Sequence, residues 1–168
     1  MGQWDTLYKI IKPLRKVLDL LTVIMFLAMF AIVTVNVIMR YLFNNPISWA
    51  GELSRYLFIS IIFFGAILAL REGAHIGMDF LIQRLPDKVH EKIVLINTLV
   101  VLGFLLAFTV AGIRMVISNT SVYSSAMSIP MSIPYIALPI GGMGMILELF
   151  AQILGHEELQ EHDAEVLN

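Results

Sequence analysis

Glu148 has the most chemistry open to it, because it is the only ionisable side chain well inside an apolar stretch of this 168-residue chain. A carboxylate at membrane depth can carry a proton or hold a cation, since burying a charge there is costly without a function or a partner. It lies six residues before Leu154. It can therefore also reach the membrane edge or close an ion pair, and the ion pair is the expectation preferred here. Asp19 has Arg15 and Lys16 beside it and is expected to pair with one of them. Glu52 and Arg55, three apart, read first as a local helix pair. Arg71, His75 and Asp79 recur every fourth residue. They form either a site on one helical face or, more simply, an interfacial ion-pair ladder.

Other chemistry is harder to assemble. The chain has no cysteine, which excludes disulfides, thiolate metal sites and iron–sulfur clusters. His75, His90, His156 and His162 all fall outside the apolar blocks, so facing axial ligands for a membrane haem are not provided. There is no Gly-x-Ser-x-Gly elbow, no His-Glu-x-x-His motif and no phosphate loop. The net charge of −2 gives no reason to expect nucleic acid. No catalytic residue, metal or cofactor is expected, and the chain does not read as an enzyme.

The elements that must position these side chains follow from composition. Apolar residues make up 58% of the chain and charged residues 14%, with a mean hydropathy of +0.83; soluble domains have about 45–50% and about 25%. A bilayer core of about 30 Å needs roughly 20 apolar residues in a helix. Four blocks meet that need, at about 18–39, 47–71, 92–114 and 133–154. The expected fold is an all-α integral membrane protein, one domain of four transmembrane helices over residues 1–168. Lys9, Lys12, Arg15, Lys16, Arg71, Arg84, Lys88 and Lys92 lie on one side, and Arg40, Arg55 and Arg114 on the other. Positively charged loops stay in the cytoplasm, so both termini are expected inside. Residues 155–168 form an acidic cytoplasmic tail carrying Glu157, Glu158, Glu161, Asp163 and Glu165. Trp4, Leu7, Tyr8, Ile11 and Leu14 recur at helical spacing opposite Asp5, Lys9, Lys12 and Lys16. Residues 1–17 therefore read as an amphipathic interfacial helix, with Pro13 as a point of bending.

Lipid gives helices no hydrophobic reason to associate, so close packing needs small residues. Gly103, Ala107 and Ala111 offer one stripe, Gly65 and Ala69 a second, and Ala137 and Gly141 a third. At least one of them is expected to pack within the chain. Pro134 and Pro139 predict an irregular start to the last span. Asn45-Pro46 reads as a helix start.

From Asn36 to Leu85 the chain runs NVIMRYLFNNPISWAGELSRYLFISIIFFGAILALREGAHIGMDFLIQRL. This resembles the signature stretch of the small membrane subunit (Q subunit, DctQ type) of tripartite ATP-independent periplasmic (TRAP) transporters. The matching elements are Asn36, Arg40-Tyr41, Phe43-Asn44, Pro46, Trp49, Glu52-Leu53, Arg55, Phe58, Gly65-Ala66, Arg71, His75-Ile76 and Asp79. The later IPMSIPYIALPIG, Ile129 to Gly141, resembles the family's entry to its last span. The resemblance implies a bacterial inner-membrane subunit that binds no substrate itself. It implies a large multi-span subunit of the elevator type, whose scaffold the small one braces. It also implies a periplasmic substrate-binding protein that docks on the complex, and secondary active, sodium-coupled uptake of an organic acid such as a C4-dicarboxylate or sialic acid. Arg40, Trp49, Glu52, Arg55, Arg71, His75 and Asp79 become candidates for a partner interface or for phospholipid headgroups. The rival readings are a self-sufficient homo-oligomeric transporter using Glu148 and an anchor subunit for another membrane enzyme.

Overall fold

The structure, a computed structural model, describes the chain path of residues 3–71 and 87–166 and the side chains of residues 12–71 and 92–153. Among the described residues the helices are α1 (Gln3–Leu42), α2 (Ala50–Arg71), α3 (Asp87–Ser118), α4 (Ser132–Tyr135) and α5 (Ala137–Val166). Four segments are long and apolar enough to cross a membrane: Lys12–Leu42, Ala50–Arg71, Lys92–Ser118 and Ser132–Ile153. The last of them joins α4 to the first part of α5.

α1 runs 40 residues without interruption, about 60 Å at 1.5 Å per residue. Pro13 lies inside it, where it removes the bond to the carbonyl four residues earlier and its ring crowds that carbonyl. No break in the helix sets residues 3–17 apart from the span that follows. α1 ends at Leu42, and Asn44 turns the chain in the left-handed conformation, φ 52°, which asparagine tolerates better than most residues. The Asn45 N–H donates back to the Met39 carbonyl at 3.0 Å. α2 begins only at Ala50, so Asn45-Pro46 is not a helix start. Pro46 holds its predecessor out of the helical region, and the first turn of α2 forms on the Trp49 carbonyl, which accepts from Glu52 and Leu53 at 3.1 and 3.0 Å.

In space the spans lie as a row. α1 packs on α2, α2 on α5 and α5 on α3, so the fourth span sits between the second and the third. Gly141 and Gly144 let α5 approach α2, and Gly142 lets it approach α3. A Cβ on Gly141 would come within 2.7 Å of Phe63 Cβ, and one on Gly144 or Gly142 would strike Ile67 or Thr109. Phe63 and Phe108, one from each flanking helix, close over this notch with ring centroids 5.4 Å apart. Ala137 and Gly141 are thus the small-residue pair used internally. Gly103, Ala107 and Ala111 are exposed instead, with nothing within 4 Å of a Cβ at Gly103.

Pro134 and Pro139 are both buried, and as expected the last span starts irregularly. The helix breaks at Ile136, whose N–H still reaches the Ser132 and Ile133 carbonyls at 3.2 Å. The burial gradient follows the row. The α5 span is the most buried, and the apolar stretch of α1 has no buried residue.

Gly142→Val is expected to lower the melting temperature of the detergent-purified chain, since overpacking a close contact costs about 1–3 kcal/mol. Gly103→Val should leave it unchanged. Equal melting temperatures would show that α3 and α5 do not pack through Gly142.

Candidate functional site

Polar side chains gather at the two ends of the row. At one end, where α1 enters and α2 leaves, Arg15 donates to Glu148 Oε2 from Nη2 at 2.9 Å and from Nε at 3.3 Å. The Glu148 side chain is only 4% exposed, so the guanidinium neutralises a carboxylate that has almost no water. This is the ion pair expected for Glu148, drawn from α1 to α5. The second oxygen, Oε1, is buried and carries no hydrogen bond. One turn along α1, Asp19 takes Arg71 Nη1 on both oxygens, at 3.0 and 3.3 Å. Its partner is therefore on α2, not Arg15 or Lys16. Arg15 is drawn away by Glu148, whose burial gives it the greater need of a cation. One turn further along α5, the Gln152 amide donates to the Leu70 carbonyl. Three helices are joined in one layer.

At the other end, the loop end, Asn36 Oδ1 accepts the Ile47 N–H at 2.9 Å, pinning the α1–α2 connection to a side chain inside the span. Glu52 does not pair with Arg55. Its Oε2 accepts the Ala126 and Met127 N–H groups at 2.9 and 3.0 Å, and its Oε1 accepts the Tyr56 hydroxyl at 2.6 Å. Charged acceptors of backbone N–H groups make the stronger class of hydrogen bond, and Arg55 offers none of that geometry while it stands exposed.

The segment that Glu52 holds, residues 119–131, closes on itself. Tyr123 and Pro130 form an antiparallel bridge. Ser124 donates to the Ile129 carbonyl at 2.9 Å, and Met131 to that of Val122 at 2.8 Å. Ser128 turns the tip at φ 54°. The buried Ser124 hydroxyl accepts the Ile129 N–H at 3.3 Å.

The sequence-derived candidates thus separate. Glu52 and Arg71 are internal fasteners, whereas Arg40, Trp49 and Arg55 are exposed at the loop end. His75 and Asp79 lie outside the described residues, so the proposed ladder is represented by Arg71 alone. Three fasteners were not singled out from sequence for these roles: Asn36, Tyr56 and Gln152. Their signal was an amide or hydroxyl set in an apolar run, and for Tyr56 the spacing of four from Glu52. Chemically, these groups hold helices and a loop in register. Among the described residues, no group of His, Asp and Glu could hold a metal ion.

Residues 29–158 match the family described as tripartite ATP-independent periplasmic transporters, DctQ component. The chain is 29% identical over 147 residues to the sialic acid TRAP transporter small permease protein SiaQ of Vibrio cholerae, covering 85% of each chain. It is 36% identical over 77 residues to the C4-dicarboxylate TRAP transporter small permease protein DctQ of the same organism, covering 46% of this chain and 33% of that one. It is also 29% identical over 103 residues to the sialic acid TRAP transporter permease protein SiaT of Haemophilus influenzae. That match takes in 61% of this chain but 17% of SiaT.

Two outcomes are expected. Arg15→Met should destabilise the detergent-solubilised chain by up to about 3 kcal/mol, because it strands a buried carboxylate. Changing Glu148 to Met as well should recover most of that loss, and a double variant as unstable as the single one would contradict the pairing. Glu52→Ala should speed amide exchange at Ala126 and Met127 about tenfold or more, since each loses a charged acceptor. Exchange there as slow as in the unaltered chain would mean that Glu52 does not hold the loop.

Proposed function

Because the chain belongs to the DctQ component family of TRAP transporters, and so is a multi-pass small permease subunit of the bacterial inner membrane and not an enzyme, we propose that it braces the scaffold of a large elevator-type subunit. It binds no substrate itself. The transport it serves is secondary active, sodium-coupled uptake of an organic acid of the sialic acid or C4-dicarboxylate class. A periplasmic substrate-binding protein docks on the assembled complex. The two small permease relatives from one organism differ in the acid that they are named for, so likeness to either does not choose between the two classes.

One observation carries the reading: the row is fastened at its ends and uncovered along its flanks. α1 exposes Phe26, Leu27 and Phe30, and α3 exposes Val100, Phe104 and Leu106. An elevator needs a part held fixed in the bilayer while another slides, and a row of helices with uncovered apolar flanks adds contact area to that fixed part. SiaT supports a partnership of this kind, since a segment like this chain makes up 17% of a much longer permease.

In this reading both termini are cytoplasmic, which puts the Arg15–Glu148 end inside and the Glu52 loop end in the periplasm. The leading turns of α1, with Lys12 and Lys16, lie at the inner headgroup layer and the tail from residue 155 lies in the cytoplasm. Arg40, Trp49 and Arg55 face a partner or headgroups directly. Glu52 and Arg71 act by holding the shape of the chain, and His75 and Asp79 are assigned to the cytoplasmic interface.

Affinity purification from native membranes in mild detergent is expected to bring down a near-equimolar hydrophobic protein of about ten or more spans. Recovery of the chain alone, with proton- or sodium-linked transport abolished by Glu148→Gln in the purified chain, would overturn the bracing role and establish Glu148 as a coupling group.

A further inference from the structure

We propose that Arg40, Arg55 and Arg114 form a belt at the loop end that binds the phosphate groups of phospholipids in the adjoining leaflet. Over residues 36–56 and 112–136 the charged side chains are Arg40, Glu52, Arg55 and Arg114. Glu52 is the one acid among them, and both of its oxygens are filled by Tyr56 and the backbone of the 119–131 loop. The three arginines are exposed, and the ion pairs formed among the described residues lie at the opposite end of the row. Among the described residues this end therefore holds three cations with no anion paired to them, on the side where the inside preference of positive charge disfavours them.

Their depth selects the anion. Arg40 lies two residues before the end of α1, Arg55 five residues into α2, and Arg114 four residues before the end of α3. At about 1.5 Å per residue, each is within roughly 8 Å of its helix end, in the layer where phosphates lie. Side chains on a helix lean toward its N-terminus. On α1 and α3, which run toward this end, that lean carries Arg40 and Arg114 back over the membrane edge. On α2, which runs away from it, Arg55 leans outward from a deeper position. All three therefore lie in the layer at the membrane edge.

The loops at residues 43–49 and 119–131 follow beyond these positions, so a soluble acidic surface would meet the loops first. The guanidinium fork suits a phosphate, which it can bind with two parallel hydrogen bonds. Tyr41, Trp49 and Tyr123 are exposed at the same end, 77%, 42% and 63% respectively. Tyrosine and tryptophan at such positions are the side chains of a membrane–water boundary. The inference rests on reading α1, α2 and α3 as membrane-crossing, and not on which substrate the transporter carries.

The test is native mass spectrometry of the full chain, purified with whatever co-purifies, after exchange into detergent with phosphatidylglycerol or with the phosphate-free monogalactosyl diacylglycerol. Phosphatidylglycerol should be retained and the galactolipid lost. Replacing Arg40, Arg55 and Arg114 by Gln should weaken phosphatidylglycerol retention by about fivefold per arginine. Replacement of all three by Lys, which keeps the charge, should restore part of it and shows that the fold tolerates change at these sites. Equal retention of the two lipids, or unchanged retention in the Gln variant, would overturn the belt. So would a Gln variant that keeps its lipid but loses capture of the soluble periplasmic partner, since the arginines would then be a protein dock. Recovery of the large permease in the same preparations reports separately on the bracing role.

Discussion

A carboxylate with almost no contact with water has to be matched by a cation, and in this chain the match for Glu148 comes from the first helix. That requirement sets much of the architecture. Nothing hydrophobic draws α1 to its neighbours once all of them are in lipid, and its apolar stretch is accordingly unburied. Besides its side-by-side packing on α2, polar contacts at its ends attach it. Arg15 reaches Glu148 and Asp19 reaches Arg71 at one end, while Asn36 takes the Ile47 N–H at the other. Between these points the helix is free to present its surface to whatever lies alongside.

The middle of the row is held differently. α5 carries Gly141, Gly142 and Gly144 where its two flanking helices come closest, and Phe63 and Phe108 fill the volume that the glycines leave open. Dispersion contacts, not charges, fasten this part, and they depend on backbones approaching closely. Taken with the polar ends, this yields a bundle closed at its centre and uncovered on its flanks. Such a shape suits a brace better than a carrier, because Asp19, Glu52 and one oxygen of Glu148 are already bound to donors inside the chain.

Glu52 shows how the same economy shapes the loop end. One carboxylate accepts two backbone N–H groups of a segment more than seventy residues away and a tyrosine hydroxyl on its own helix. The 119–131 segment is thereby folded down as a closed hairpin. Engaging the one acid in this way is also what leaves the neighbouring arginines to find anions outside the chain.

The sequence alone was enough for the number and nature of the spans, because transfer from water to lipid depends on composition over about 20 residues and needs no knowledge of neighbours. It was enough too for the irregular start of the last span, since Pro134 and Pro139 act through their own missing N–H groups, and for an ion pair at Glu148, since a buried charge demands one. The partners were another matter. Local spacing suggested Asp19 with Arg15 or Lys16 and Glu52 with Arg55, whereas the bonds formed join residues 52, 74, 75 and 133 positions apart. Asn45-Pro46 likewise suggested a helix start that the chain delays to Ala50. Contacts at such separations depend on the order of helices in the row and on the rotation of each about its axis. Only tertiary packing decides those, and here the glycine notch on α5 places the fourth span between the second and the third.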